Sequence, residues 1–179
     1  VDGKTLLLVF LYARGKTGRD NEPVPTLTHL HKEIFILTRK GIFKDVGSQL
    51  NFIPLYYGPF SPRLNDIRDE LLDSGDIRFE RDIQLTPDGF KKAAQLYKNL
   101  NENERIEIIK TKEEFNRMKL DELLDHVYSL YPEFTTKSAL KKGVVDEYFA
   151  KFCKENDITE DYVINSALRI RYGNEKSGS

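Results

Sequence analysis

The stretch from Leu64 to Leu100 leaves the backbone few alternatives. Leu64, Ile67, Leu71 and Leu72 recur at helical spacing, and Ser74-Gly75 stops the pattern. Two short extended runs follow, Ile77 to Glu80 and Ile83 to Leu85, on either side of Arg81-Asp82, which suits a hairpin turn. Thr86-Pro87 then opens another helix. Threonine caps it, and proline takes the first helical position, where its missing N–H is not needed. Phe90, Ala93, Ala94, Tyr97 and Leu100 form the apolar stripe of that helix. A lone hairpin buries too little to stand in water, so the ribbon must lean on helices.

The upstream residues supply them. Residues 4 to 14 read as a short, almost wholly apolar helix, buried on most sides. Lys4 alone precedes that run and no small-residue cleavage site follows it, so a targeting peptide is not expected. Residues 15 to 25 form a polar connection rich in Gly, Asp, Asn and Pro. From Thr26, Leu27, Leu30, Ile34 and Leu37 predict a helix ending at Gly41. Residues 42 to 51 fit more than one state, and Asn51 to Tyr57 reads as an extended segment broken by Pro54. Next comes Tyr57-Gly58-Pro59-Phe60-Ser61-Pro62, where Gly-Pro suits a turn, Ser61 a cap and Pro62 the first helical position.

Residues 104 to 131 are strongly helical in pattern, with Leu120, Leu123, Leu124, Val127 and Tyr131 on one face and Pro132 as the stop. Beyond a basic connection, Val144, Tyr148, Phe149 and Phe152 make a further stripe, and Val163, Ala167 and Ile170 the last. The expectation is a mainly α chain of four to seven helices with one small hairpin. Its parts would be a domain over residues 1–100, a helical extension over 101–172 that packs back or dimerises, and a disordered tail over 173–179.

A helix ending in Ser-Gly, a two-stranded ribbon and then Leu85-Thr86-Pro87-Asp88-Gly89 resembles the helix-wing-helix passage of winged helix-turn-helix proteins. A narrower resemblance joins Tyr57-Gly58-Pro59-Phe60-Ser61-Pro62 to Leu123-Leu124-Asp125-His126-Val127-Tyr128 and Tyr131-Pro132-Glu133-Phe134-Thr135. These phrases are similar to those of YwgA-like proteins and the related Panacea antitoxin domain, over roughly residues 5 to 142. The resemblance implies a winged helix-turn-helix fold and a prokaryotic setting, and the single cysteine and high charge content fit a cytoplasmic protein. For Panacea domains it implies neutralisation of a toxin protein.

Charge decides how far a DNA-binding role can be carried. The chain has 28 basic and 29 acidic residues among 179, and residues 1–100 hold 15 against 13, so neither part is a basic domain. On the helix after Ser61, the outward positions are Arg63, Asn65, Asp66, Arg68, Asp69, Glu70 and Asp73, two arginines against four carboxylates. Phosphate contacts dominate affinity for duplex DNA, and a nearby carboxylate opposes them. If this helix reads DNA, Arg63, Asn65 and Arg68 must do so, helped by Arg78 and Arg81 of the wing, which Glu80 and Asp82 balance. A second basic cluster comprises Lys137, Lys141, Lys142, Lys151 and Lys154, whose simplest role is a solvated helix surface.

Two functions compete. The first is a non-enzymatic regulator of transcription that binds double-stranded DNA. The alternative is a protein-interaction module of antitoxin type, which would hold a basic partner through Tyr57, Phe60, Asp66, Asp69 and Glu70. Other chemistry has little support. Arg14-Gly15-Lys16-Thr17-Gly18 lacks the glycine a phosphate loop needs five positions before its Gly-Lys-Thr, where Phe10 stands. His29 and His31 point about 200° apart on a helix and cannot share a metal. Cys153 stands alone, which excludes a disulfide framework and suits burial. No cofactor, metal or catalytic residue is expected, and no apolar run reaches the ~18 residues of a membrane span.

Overall fold

Asp2 caps the first helix by accepting a hydrogen bond from Thr5 N–H at 2.7 Å, and ten mostly apolar residues follow as α1 (Gly3–Tyr12). Leu6 through Leu11 are all buried, so this helix is a core element on every side, as its sequence predicts. The computed structural model describes residues 1–39, 41–55, 58–134, 154–157 and 159. They fall into two compact units, Val1–Phe52 with Ser61–Met118, and Ile53–Phe60 with Lys119–Ser179. The architecture is mainly helical with small antiparallel ribbons. No helix among the described residues is long and apolar enough to cross a membrane.

In the first unit, α2 (Leu27–Arg39) leads through a 3-10 turn (Gly41–Phe43) into the short α3 (Lys44–Leu50). Thr26 begins α2: its hydroxyl accepts from His29 N–H at 3.1 Å. The expected amphipathic stripe is present but is only part of the buried surface. Thr28, His29, His31, Lys32 and Glu33 are buried as well, so α2 runs through the interior with ionisable groups inside it. Residues 42 to 51, open to several readings in sequence, are helical up to Leu50, and Asn51 closes α3 in the left-handed conformation at φ 48°.

The helix-ribbon-helix passage folds as its punctuation predicts. Ser61 Oγ accepts from Leu64 N–H at 2.9 Å and donates to Leu50 O at 2.5 Å, starting α4 (Pro62–Asp73) with Pro62 at its first turn. The helix ends in a Schellman motif. Gly75, at φ 71°, donates to Leu72 O at 3.0 Å, and Asp76 donates to Leu71 O at 2.9 Å. β3 (Ile77–Phe79) and β4 (Ile83–Leu85) pair antiparallel, Ile77 opposite Leu85. Thr86 then caps α5 (Pro87–Lys98), which packs along α1. At Gly89 a Cβ would lie 1.8 Å from Asp76 O, so the tight approach of α5 to the end of α4 requires glycine.

The polar connection 15–25 is anchored more firmly than its composition suggests. Val24 exchanges two backbone hydrogen bonds with Ile83, each 2.9 Å, and Asn21 bonds both backbone groups of Leu85 through its side chain. The ribbon β3–β4 thereby gains a third edge contact.

The stretch from 104 to 131, which reads as one helical run in sequence, is two helices, α6 (Glu102–Phe115) and α7 (Leu120–Leu130), broken at Asn116. Asn116 turns inward, and its Nδ2 donates to Glu22 Oε1 at 2.8 Å and Pro23 O at 2.9 Å.

The second unit contains α7, a 3-10 turn (Pro132–Phe134) and a second ribbon, β1 (Ile53–Leu55) with β2 (Gly58–Phe60). The sequence predicted one hairpin and a turn at Gly58-Pro59; those two residues lie instead in β2. Pro54 faces Pro59 across the ribbon. A two-stranded ribbon has only edges, so neither missing N–H breaks a central ladder. Leu123, Leu124, Val127 and Tyr128 make the buried face of α7.

Candidate functional site

The surface offered by α4 and the ribbon behind it is where the sequence places its candidate contacts, and the structure shows how each is used. Arg63 is exposed, with its guanidinium 3.5 Å from Glu70 Oε1, and Lys4 reaches Glu70 Oε2 at the same distance. Arg68 is not presented to solvent. Its side chain is only 12% exposed, and Nε and Nη2 donate to Asp69 Oδ1 at 2.9 and 2.7 Å. Asn65 is half-buried and accepts at Oδ1 from His31.

That last bond belongs to a fixed network. Ser61 N–H donates to His31 Nδ1 at 3.2 Å, which leaves Nε2 to carry the proton and donate to Asn65 Oδ1 at 3.0 Å. Burial drives the His31 ring down to a pKa of about 3, so the ring is neutral and this tautomer persists. Asn65 therefore serves the interior, and its amide does not stand ready to read an adenine edge.

On the ribbon, Arg78 is exposed with Nη1 3.9 Å from Glu80 Oε2, and Arg81 is exposed at the turn between the strands. What α4 leaves in solvent is acidic. Asp66, Asp69, Glu70 and Asp73 are all exposed, and their spacing of i, i+3, i+4 and i+7 puts them on one stripe of the helix. Of these, Asp66 and Asp73 form no ion pair with another described residue. Phe60 is half-buried within the second unit. Tyr57 lies outside the described residues, as do Lys137, Lys141, Lys142, Lys151, Cys153 and the expected tail; Lys154 is described and exposed.

The Gly-Lys-Thr-Gly loop has no room for a phosphate. Glu22 is buried, and its carboxylate accepts from Thr17 N–H at 2.9 Å and from the Thr17 hydroxyl. Burial pushes this carboxyl up, but hydrogen bonds from Thr17 and Asn116 outweigh it and hold the group below the ordinary carboxylate range. An anion already occupies the cradle, and it is the chain's own.

Sequence reasoning missed a buried polar group on α2 and α6. Lys112 is fully buried, and Nζ donates to Phe10 O, Leu11 O and Ala13 O at 3.0, 2.8 and 2.8 Å. A cation on the last carbonyls of a helix satisfies acceptors that otherwise have no partner and matches the helix dipole. Glu33 is also fully buried, and neither carboxyl oxygen makes a hydrogen bond with a described residue. Burial pushes this carboxyl well above its usual value; Lys112 opposes the shift and Glu22 adds to it. Nothing in the pattern of α6 distinguishes Lys112 from the lysines around it. The described residues contain no group of three His, Cys, Asp or Glu placed to hold a metal.

Comparison with protein-family models, curated proteins and solved structures found no match.

Proposed function

We propose that this chain is a non-enzymatic winged-helix module whose third helix docks a basic protein partner. Element order supports the fold part of the reading. Within the first unit, α1, the bridging residue Val24, α2, α4, β3 and β4 follow one another, and Val24 pairs with the last strand. A winged helix runs in that order, with α3 and the β1–β2 segment as an insertion before its third helix.

One observation favours a protein partner over DNA: Arg68 and Asn65 hold groups of the chain itself, while Asp66 and Asp73 face solvent. A helix entering the major groove needs donors for base edges and cations for phosphates. The outward face of α4 presents neither in surplus. Exposed carboxylates in a row suit lysines and arginines on another protein, steering encounter and fixing register. The sequence phrases that resemble the Panacea domain support the same class of function.

Two measurements test the reading. The full chain, labelled and titrated with a Lys/Arg-rich peptide, should bind it, and Asp66→Lys/Asp73→Lys should abolish the binding. A duplex DNA should show no saturable binding at low salt. The reading fails if the double substitution leaves peptide binding intact. It also fails if duplex DNA binds with steep salt dependence and Arg63→Ala/Arg78→Ala/Arg81→Ala removes that binding.

A further inference from the structure

Glu33 stands on the part of the first unit where α6 packs along α2, fully buried, and neither carboxyl oxygen is hydrogen-bonded to a described residue. The charged groups that act on it are Lys112 from α6 and Glu22 from the connection before α2. Neither offers it a donor. The three N–H groups of Lys112 are taken by Phe10 O, Leu11 O and Ala13 O. Glu22 is itself an acceptor, held by Thr17 and Asn116. The other elements around α2 bring no charge to the group. The 3-10 turn has no ionisable residue, Lys44 and Asp45 of α3 are exposed, and Lys4 of α1 is paired with Glu70. On α2 itself, His29 is bound to Thr26 and Met118 O, and Lys32 points about 100° away around the helix.

The count of charges leads to the same place. Lys112 and Glu22 balance each other, so an ionised Glu33 would leave one net negative charge in the interior with no donor on either oxygen. A neutral carboxylic acid avoids that cost, and burial pushes the carboxyl in this direction. α6 is the element whose movement would bring water to the group. It exposes Glu107, Lys110, Glu113 and Glu114 to solvent, whereas α2 is buried along nearly its whole length.

We propose that Glu33 is a proton-held latch: as the neutral acid it lets α6 close on α2, and loss of its proton to solvent releases α6 while α1 and α2 stay folded. Release draws Lys112 and Asn116 away from their partners, and those bonds keep α6 closed while the proton is in place. Opening of one element of a folded domain is a motion of this kind. The latch is independent of the α4 stripe and stands or falls without it.

Two measurements on the full chain test it. The first is the Glu33 side-chain carboxyl, assigned through bonds in ¹³C-labelled protein. It should remain protonated between about pH 5 and 7, where ordinary glutamates ionise. The second is hydrogen exchange of the α6 amides of Ile108, Thr111 and Lys112, corrected for intrinsic rates, in wild type and Glu33→Gln. Lys112, with a pKa of about 8, keeps its charge in that range. The opening constant of α6 in wild type, relative to Glu33→Gln, should rise by up to about tenfold per pH unit, and the amides of Leu8 and Ile34 should not follow. A Glu33 carboxyl already ionised at about pH 6 would overturn the proposal, as would an opening ratio constant in pH. Exchange of Leu8 and Ile34 in step with α6 would overturn it too, since the unit would then open as a whole. Should Glu33→Gln not fold, the carboxyl titration and the contrast between α6 and α2 amides in wild type decide the matter alone.

Discussion

Lys112 illustrates how one residue can join distant parts of a chain. A fully buried ammonium is costly to desolvate, and three carbonyl acceptors at the end of α1 offset that penalty. Burial brings its pKa down to about 8, with Glu33 and Glu22 holding it up, so the charge survives at neutral pH. Lys112→Met keeps the volume and removes the charge. It should lower stability by about 3–5 kcal/mol in urea unfolding, because the carbonyls of Phe10, Leu11 and Ala13 lose their partner. A loss under about 1 kcal/mol would show that those carbonyls do not depend on the cation.

His31 makes a prediction in pH. Its folded pKa is lowered to about 3 from an ordinary 6.5. Above pH 6.5 both folded and unfolded states hold it neutral, and its contribution is complete. As pH falls below 6.5 the unfolded chain binds a proton that the folded chain refuses, and stability drops by up to about 1.4 kcal/mol per pH unit. Glu33, raised by burial, has the opposite sign: stability is lost as pH rises above its unfolded value of 4.5. The informative quantity is therefore the difference from a variant. The stability advantage of wild type over His31→Gln should shrink steadily from pH 7 to pH 4; a constant difference would contradict the buried neutral ring.

At the scale of elements, punctuation residues carry the structure between α4 and α5. Thr86 Oγ1 accepts from Gly89 N–H at 3.1 Å and donates to Gly75 O at 2.6 Å, while Lys92 Nζ meets the buried Asp76 carboxylate at 2.6 Å. These bonds tie the end of one helix to the start of the next across the ribbon. A methyl group at position 89 would press on the backbone of Asp76, which cannot rotate away. Gly89→Ala should therefore destabilise by at least the ~1–3 kcal/mol typical of overpacking, visible as a lower melting temperature. Gly18→Ala is a poor control because its φ is 73°, whereas Gln95→Gly at an exposed position of α5 reports helix propensity. The Thr86 cap and the stop at Gly75 were readable in sequence because each acts within three or four residues of itself, whereas the Lys92–Asp76 pair and the approach of Gly89 to Asp76 join residues more than ten apart and were not. The second ribbon was not readable, since Pro54 and Pro59 argue against strands until the two-stranded edge geometry is known.

At the scale of the whole molecule, near-zero net charge conceals an uneven distribution. The outward stripe of α4 is acidic, whereas Arg39 and Lys44 stand exposed where α2 leads into α3. Function and stability should separate cleanly on α4. Asp66 and Asp73 are exposed and hold no described ion pair, so Asp66→Lys/Asp73→Lys should change folding stability by no more than about 0.5 kcal/mol per site while abolishing partner binding. A melting temperature far below wild type would mean that the stripe has a structural role, and binding loss could not then be assigned to charge.

Local rules of the chain were enough to set α1, α2, α4 and α5, the Ser61 and Thr86 caps, the stop at Gly75 and the β3–β4 ribbon. Each depends on residues close in sequence, where φ preferences and hydrogen-bonding side chains act directly. They also set the charge of α4, which is a property of its composition. Only tertiary structure decided which polar residues lie inside. Lys112 and Glu33 lie on helices whose neighbours are equally polar, and they are buried because α6 crosses α2 and the end of α1. The meeting of α2 and α4 likewise turned Asn65 from a candidate DNA contact into an internal ligand of His31, while Arg68 lies largely buried and bonds the neighbouring, exposed Asp69. Burial depends on which elements meet, and residues far apart in sequence fix that together.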